Sequence, residues 1–285
     1  MQPADFFRRV WRTAWDATHL FVDDQGLSWA GAIGLYLFLS VPPAMVAVSW
    51  AGRLVAGPEA ARTFAVELVG KYVPTQRELL DGIVAHSPES AAAGVASVAL
   101  LFFSGSRAFA ALTSAVNVLW LRVDRLTFWK RQALRLGMLG VALVLIGLSA
   151  LAEGLVASLG SNGASETDLW LLDWQLIPMV LLAAMLFAVY KILPREPVNV
   201  RHAAVGAVLA TIGVRLAQAG LGYIAEAGLF ETPYGELASV ALMATWALVV
   251  GTVVLYGAAV VAILDGKRPE EEQKRERRFT RASAG

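Results

Sequence analysis

The stretch LASVALMATWALVVGTVVLYGAAVVAIL, residues 237–264, carries no charged residue and no proline. A helix needs about 20 mostly apolar residues to cross a bilayer, and this stretch exceeds that length with only hydroxyl groups and the indole N–H of Trp246 for polarity. Five further stretches meet the same criterion: about Trp29–Trp50, Ala91–Leu119, Leu134–Leu159, Trp174–Leu193 and Ala203–Ile224. The chain of 285 residues is 57% hydrophobic and only 16% charged, with a mean hydropathy of +0.57. A water-soluble domain holds about a quarter of its residues charged. The expected fold class is therefore all-α, a polytopic bundle of six transmembrane helices.

Lys and Arg placement sets the orientation of such a bundle. Arg8, Arg9 and Arg12 precede the first span. Arg122, Arg125, Lys130, Arg131 and Arg135 lie between the second and third, and Lys191, Arg195 and Arg201 between the fourth and fifth. A further basic run begins at Lys267. The loops 160–173 and 225–236 have no basic residue and carry acids such as Glu166, Asp168, Glu226 and Glu231. Every short loop agrees with an N-in/C-in topology. Three regions follow: a cytoplasmic segment 1–28, a transmembrane domain 29–264 with an outer loop 53–90, and a charged cytoplasmic tail 265–285. No cleavable signal peptide is expected, because the first 22 residues interleave arginine with aromatics.

Two stretches are amphipathic without spanning. Residues 3–22 place Phe6, Phe7, Val10, Trp11, Ala14 and Trp15 at helical spacing among arginines. This fits a helix lying on the cytoplasmic leaflet or one packed on the end of the bundle. Residues 59–86 predict two short amphipathic helices separated at Pro74, which cap the bundle or rest on the outer leaflet.

Polar groups at bilayer depth are costly and mark candidate sites. Arg107 lies in the second span and Arg215 near the middle of the fifth. Asn117 and Ser114 share a helical stripe with Arg107, and Gln218, Gly222 and Glu226 share one with Arg215. Both stripes are expected to face the interior. Glu153 is the one acid well inside an expected span and a pairing partner for Arg215. Such groups either bind a ligand or hold helices together. In the first span, Pro42 and Pro43 remove backbone donors, predicting a kink or break near Ser40. Either a plain kink or part of a substrate site or hinge accounts for it.

Four motifs resemble the YihY/BrkB family of bacterial inner-membrane proteins. The first is Gly34 to Pro43, with Tyr36, Ser40 and Pro43 in a Tyr-x-x-x-Ser-x-x-Pro pattern. The second runs from Ser104 to Trp120, with Asn117 and Trp120 in an Asn-x-x-Trp pattern. Tyr190 to Pro194 followed by Gly206-Ala207 form the third. The fourth is Tyr234-Gly235-Glu236-Leu237-Ala238, then Trp246, then Leu255 to Ala258. The resemblance covers about residues 25–265, and departs locally at Trp246-Ala247-Leu248, where the family often has an aromatic. It implies a multi-pass protein of the bacterial inner membrane. It also implies links to serum resistance, envelope phenotypes and, as an open suggestion, transport. A ribonuclease label attached to the family finds no support in these residues.

The sequence offers no cysteine and three scattered histidines, His19, His86 and His202, so no metal ligand spacing. No phosphate-binding Walker loop occurs. No enzyme activity, cofactor or nucleic-acid partner is expected. The expected function is a non-ATP-driven transporter or a lipid-handling protein, with membrane lipids and an anionic small molecule or headgroup as partners. Candidate ligand-binding residues are Arg107, Arg215, Asn117, Gln218, Ser40, Glu153 and Tyr36. A non-catalytic scaffold or regulatory subunit is the alternative, and an intramembrane enzyme a third. A homo-oligomer is left open.

Overall fold

The computed structural model describes residues 3–70, 77–85, 90–120, 129–148 apart from 131, 135, 143 and 146, 176–194, and 196–266. Among these residues there is no strand. The helices are α1 (Pro3–Asp23), α2 (Gly26–Ala56), α3 (Pro58–Gly70), α4 (Arg77–Ala85), α5 (Ala91–Leu119), α6 (Leu176–Ile192), α7 (Val200–Glu226), α8 (Glu231–Tyr234) and α9 (Ala238–Leu264). A 3-10 turn, Gly235–Leu237, joins α8 to α9.

Four described helices are long and apolar enough to cross a membrane: those covering Gly26–Arg53, Ala92–Leu119, Val200–Glu226 and Gly235–Leu264. α6 is apolar but shorter. The remaining expected span, Leu134–Leu159, lies largely outside the described residues, although 136–142 are helical. Glu153 and the loop 160–173 lie outside them as well, as does the tail from residue 267.

α9 is the central helix. It packs on α2, α7, α1 and, less extensively, α5, while α2 packs on α5 and α7 on α6. Lipid chains are as apolar as leucine, so burial alone does not bring these helices together; close backbone approach does. α2 and α9 cross where Gly34 meets Gly251. A Cβ on Gly34 would lie 2.9 Å from the Cα of Leu248, and one on Gly251 2.7 Å from the carbonyl oxygen of Ala30. α6, α7 and α9 meet around Gly257, whose added Cβ would lie 2.4 Å from Tyr190 Oη. Tyr190 is fully buried and donates to the Val254 carbonyl at 2.7 Å.

Of the kink or break expected at Pro42 and Pro43, the break is corrected: α2 runs as one helix from Gly26 to Ala56 with both prolines inside it. Flanking contacts hold it. Gly34 is pressed on α9 before the prolines, and Met45 and Ser49 are buried after them. Ser40 turns inward on its own helix, its hydroxyl donating to the Leu37 carbonyl at 2.7 Å.

α3 and α4 cap one end of the bundle. Ala65, Val66, Leu80 and Val84 form a core with Val41, Met45, Leu242, Met243 and Trp246. The Arg62–Asp81 pair between them, at 3.5 Å, is half exposed and contributes little. At the far end of α9, Asp265 accepts from the Asn199 amide and pairs with His202 Nδ1 at 2.7 Å. Asn199 also caps α7, its side chain accepting from the Arg201 amide, and Lys191 donates to the Val198 carbonyl. Residues 63 apart in sequence are thus tied at one point.

α1 docks on α9 through one face. Ala17, Leu20 and Phe21 are buried. Tyr256 Oη donates to the Ala14 carbonyl at 3.1 Å and lies 3.3 Å from Thr18 Oγ1.

Candidate functional site

Most polar side chains on α5 are satisfied within the helix. Ser104 donates to the Leu100 carbonyl, Ser106 to Phe103, Thr113 to Phe109, and Asn117 Nδ2 to Thr113 at 2.7 Å. Hydroxyls that bond back in this way have used their one donor and offer a ligand or a neighbouring helix only an acceptor. Arg107 stands apart from these, as do Asn117 Oδ1 and, just past the end of the helix, Trp120 Nε1, both buried without a hydrogen-bond partner.

Arg107 sits roughly 24 Å from the start of α5 and about 18 Å from its end, at ~1.5 Å per residue. Its guanidinium carbon is 5.7 Å from the centroid of the Tyr36 ring on α2, within cation–π range. The surroundings are apolar and exposed: Phe103 one turn earlier on α5, and Leu35 and Leu39 beside Tyr36 on α2. Among the described residues no acid pairs with Arg107. The side chain is exposed and not enclosed in the packed core. The stripe itself slews around the helix. Ten residues advance about 1000°, some 80° short of three turns, so Asn117 reaches the interior while Arg107 stays at the edge.

Arg215 is half-buried on α7, and its Nη1 donates to Gln218 Oε1 at 3.3 Å. Its Nε is buried with no hydrogen-bond partner. Leu216 and Tyr223 beside it are exposed. The pairing expected with Glu153 falls outside the described residues.

The structure brings Arg107 to Tyr36 and Arg215 to Gln218, but does not bring the two arginines together. Packing runs from α5 through α2 and α9 to α7, so the shared polar cavity expected of the two stripes has no direct α5–α7 face to form on. Pro42 and Pro43 stay within α2. Of the last motif, Tyr234 is exposed and stacks on Phe230 at 5.7 Å. Gly235 holds a φ of 52° with ψ −126°, a region open to glycine. Trp246 is buried. The His202–Asp265 pair and the hydrogen bond from Tyr256 to Ala14 had no local signal, since each joins residues far apart in sequence.

The chain matches the family described as Virulence factor BrkB over residues 17–281. A protein of Aeromonas salmonicida named UPF0761 membrane protein is 28% identical over 269 residues, covering 89% of each chain. A namesake from Tolumonas auensis is 27% identical over 281 residues, covering 92% of this chain and 84% of its own. One from Pseudoalteromonas atlantica is 26% identical over 216 residues, covering 73% and 70%. No solved structure matches. With a match that spans nearly the whole chain and helices of membrane-crossing length beneath it, this multi-pass membrane protein belongs to the Virulence factor BrkB family.

Proposed function

We propose that this protein handles an anionic lipid or amphiphile in the bacterial inner membrane, holding a phosphate or carboxylate headgroup at Arg107 without an ATPase or catalytic step of its own. The observation that carries the proposal is the exposed guanidinium at mid-helix, backed by the Tyr36 ring and surrounded by apolar side chains. A charge at that depth costs at least about 2.5–3.5 kcal/mol. A cation–π contact offsets about 0.5–2 kcal/mol of this. An anionic headgroup from the surrounding lipid supplies the rest, and the planar fork of arginine suits it.

The test compares Arg107→Gln and Arg107→Lys with the parent chain. Phosphatidylglycerol and phosphatidylcholine are titrated onto each detergent-released protein and bound lipid is counted by native mass spectrometry. Charge-assisted hydrogen bonds contribute about 1.5–3 kcal/mol, so Arg107→Gln is expected to lower the preference for phosphatidylglycerol roughly 10- to 100-fold. Arg107→Lys keeps the charge and loses the fork, and should fall between. An unchanged preference at normal membrane level sinks the proposal.

The topology proposed with it has six spans and both termini in the cytoplasm. Support comes from the four long apolar helices, the shorter α6 and the distribution of basic residues. Reporter fusions at Gly163 and after Gly285 are expected on opposite sides of the membrane; the same side for both would remove the six-span arrangement.

A second reading, a non-catalytic scaffold, is favoured by one observation. The backbone-to-backbone crossing at Gly34 and Gly251 leaves α2 and α9 no room between them for a ligand.

A further inference from the structure

α1 has a second face that the bundle does not use. Its docked side holds Ala14, Ala17, Leu20 and Phe21 on α9. On the opposite side, Trp11, Trp15 and Val22 are 70%, 57% and 66% exposed, and Arg8, Arg12 and His19 are exposed next to them. At about 100° per residue, these six side chains fall within a sector of roughly 100°. His19 sits edge-on to Trp15, ring centroids 4.9 Å apart. The face therefore joins two indoles to two guanidinium groups, with no acid inside the sector; Asp5 and Asp23 lie about 20° beyond its edge and Asp16 about 40° beyond.

The depth of this face is fixed by its anchor. Tyr256, which holds Ala14, is eight residues from the end of α9, or roughly 12 Å at ~1.5 Å per residue. α1 thus lies alongside the last turns of a membrane-crossing helix. It also runs into α2, another such helix, through the two-residue turn Asp24-Gln25, where Gln25 takes a left-handed φ of 56°. Indole rings favour that interfacial level. Guanidinium groups at the same level face lipid headgroups, and their charge is complemented by anionic ones.

We propose that the outward face of α1 is a docking surface for anionic phospholipid headgroups, with Trp11 and Trp15 seated among the acyl chains and Arg8 and Arg12 on the phosphates. The surface is distinct from Arg107 and stands whether or not Arg107 binds lipid. It recruits an annulus of acidic lipid to the side of the bundle where α1 meets α9.

The chain contains no cysteine, so one introduced cysteine takes a label uniquely. His19→Cys keeps both indoles and both arginines. With an environment-sensitive fluorophore on that cysteine, the full chain is placed in nanodiscs. One set carries brominated phosphatidylglycerol, and the other brominated phosphatidylcholine at the same mole fraction within an otherwise identical mixture. Each basic residue near an anionic surface shifts occupancy about fivefold. Quenching by brominated phosphatidylglycerol should therefore report local enrichment of roughly 25-fold for the pair, and Arg8→Gln with Arg12→Gln should abolish the difference between the two lipids. Equal quenching by both lipids in the parent would overturn the proposal, since the face would touch membrane without reading charge. Absence of quenching by either would overturn it too, leaving the face open to a protein partner.

Discussion

Tyr190→Ala is expected to be the most destabilising single truncation in the bundle. The ring fills the junction of α6, α7 and α9, with Val189 and Leu193 buried beside it and the hydroxyl on Val254. Truncating a buried aromatic costs about 3–5 kcal/mol when neighbours cannot collapse into the gap. Here they cannot do so easily: Gly257 and Gly206 already place backbones at their closest approach. Tyr190→Phe retains the ring and should cost far less, about 0.6 kcal/mol, the average for interhelical side-chain hydrogen bonds in a membrane protein. Equilibrium unfolding in bicelles measures both. If the two variants were equally unstable, the hydroxyl rather than the ring would be the anchor.

Gly34→Val carries the next largest effect, from the opposite cause. The atoms that an added side chain would meet are backbone atoms of Ala247 and Leu248, and backbone does not rotate away. α2 and α9 must separate, so the cost should lie at the top of the usual range for overpacking, about 3 kcal/mol. Gly31 provides the control. It lies on the same helix with nothing within 4 Å of an added Cβ, and Gly31→Val should leave the melting temperature almost unchanged. A similar loss from both would assign the effect to helix propensity instead of the crossing.

The long apolar helices among the described residues were legible because length and apolarity suffice for them. The stretch Ala91–Leu119 coincides with α5, and Trp174–Leu193 and Leu237–Leu264 fall within two residues of α6 and α9. The short helices within residues 59–86 were legible from their amphipathic spacing on either side of Pro74. Which face of each long helix meets another was not legible. In a membrane the lipid side and the packed side are both apolar, so α5 and α9 offer no contrast to read. Arg107 illustrates the difficulty: a stripe argument groups it with Asn117, but a helix surface turns away over ten residues. The prolines of α2 show another limit. Two missing donors predict a kink or a break, and local sequence does not choose between them; with Gly34 packed on one side and Met45 on the other, the helix stays whole. The Arg107–Tyr36 contact depends on how α2 and α5 lie side by side, which no local pattern encodes.

The tie between Asp265 and the start of α7 has a mechanical consequence. α7 and α9 are pinned at one end by His202 and the Asn199 amide. Further along they are braced where Gly206 meets Val261 and Gly257 meets Ala210. Two points of attachment along a shared length suppress both sliding and scissoring, so the pair behaves as a single lever. A rocking motion of the kind that opens one side of a membrane protein has to carry both helices together. Its hinge then falls elsewhere, outside the shared length of α7 and α9.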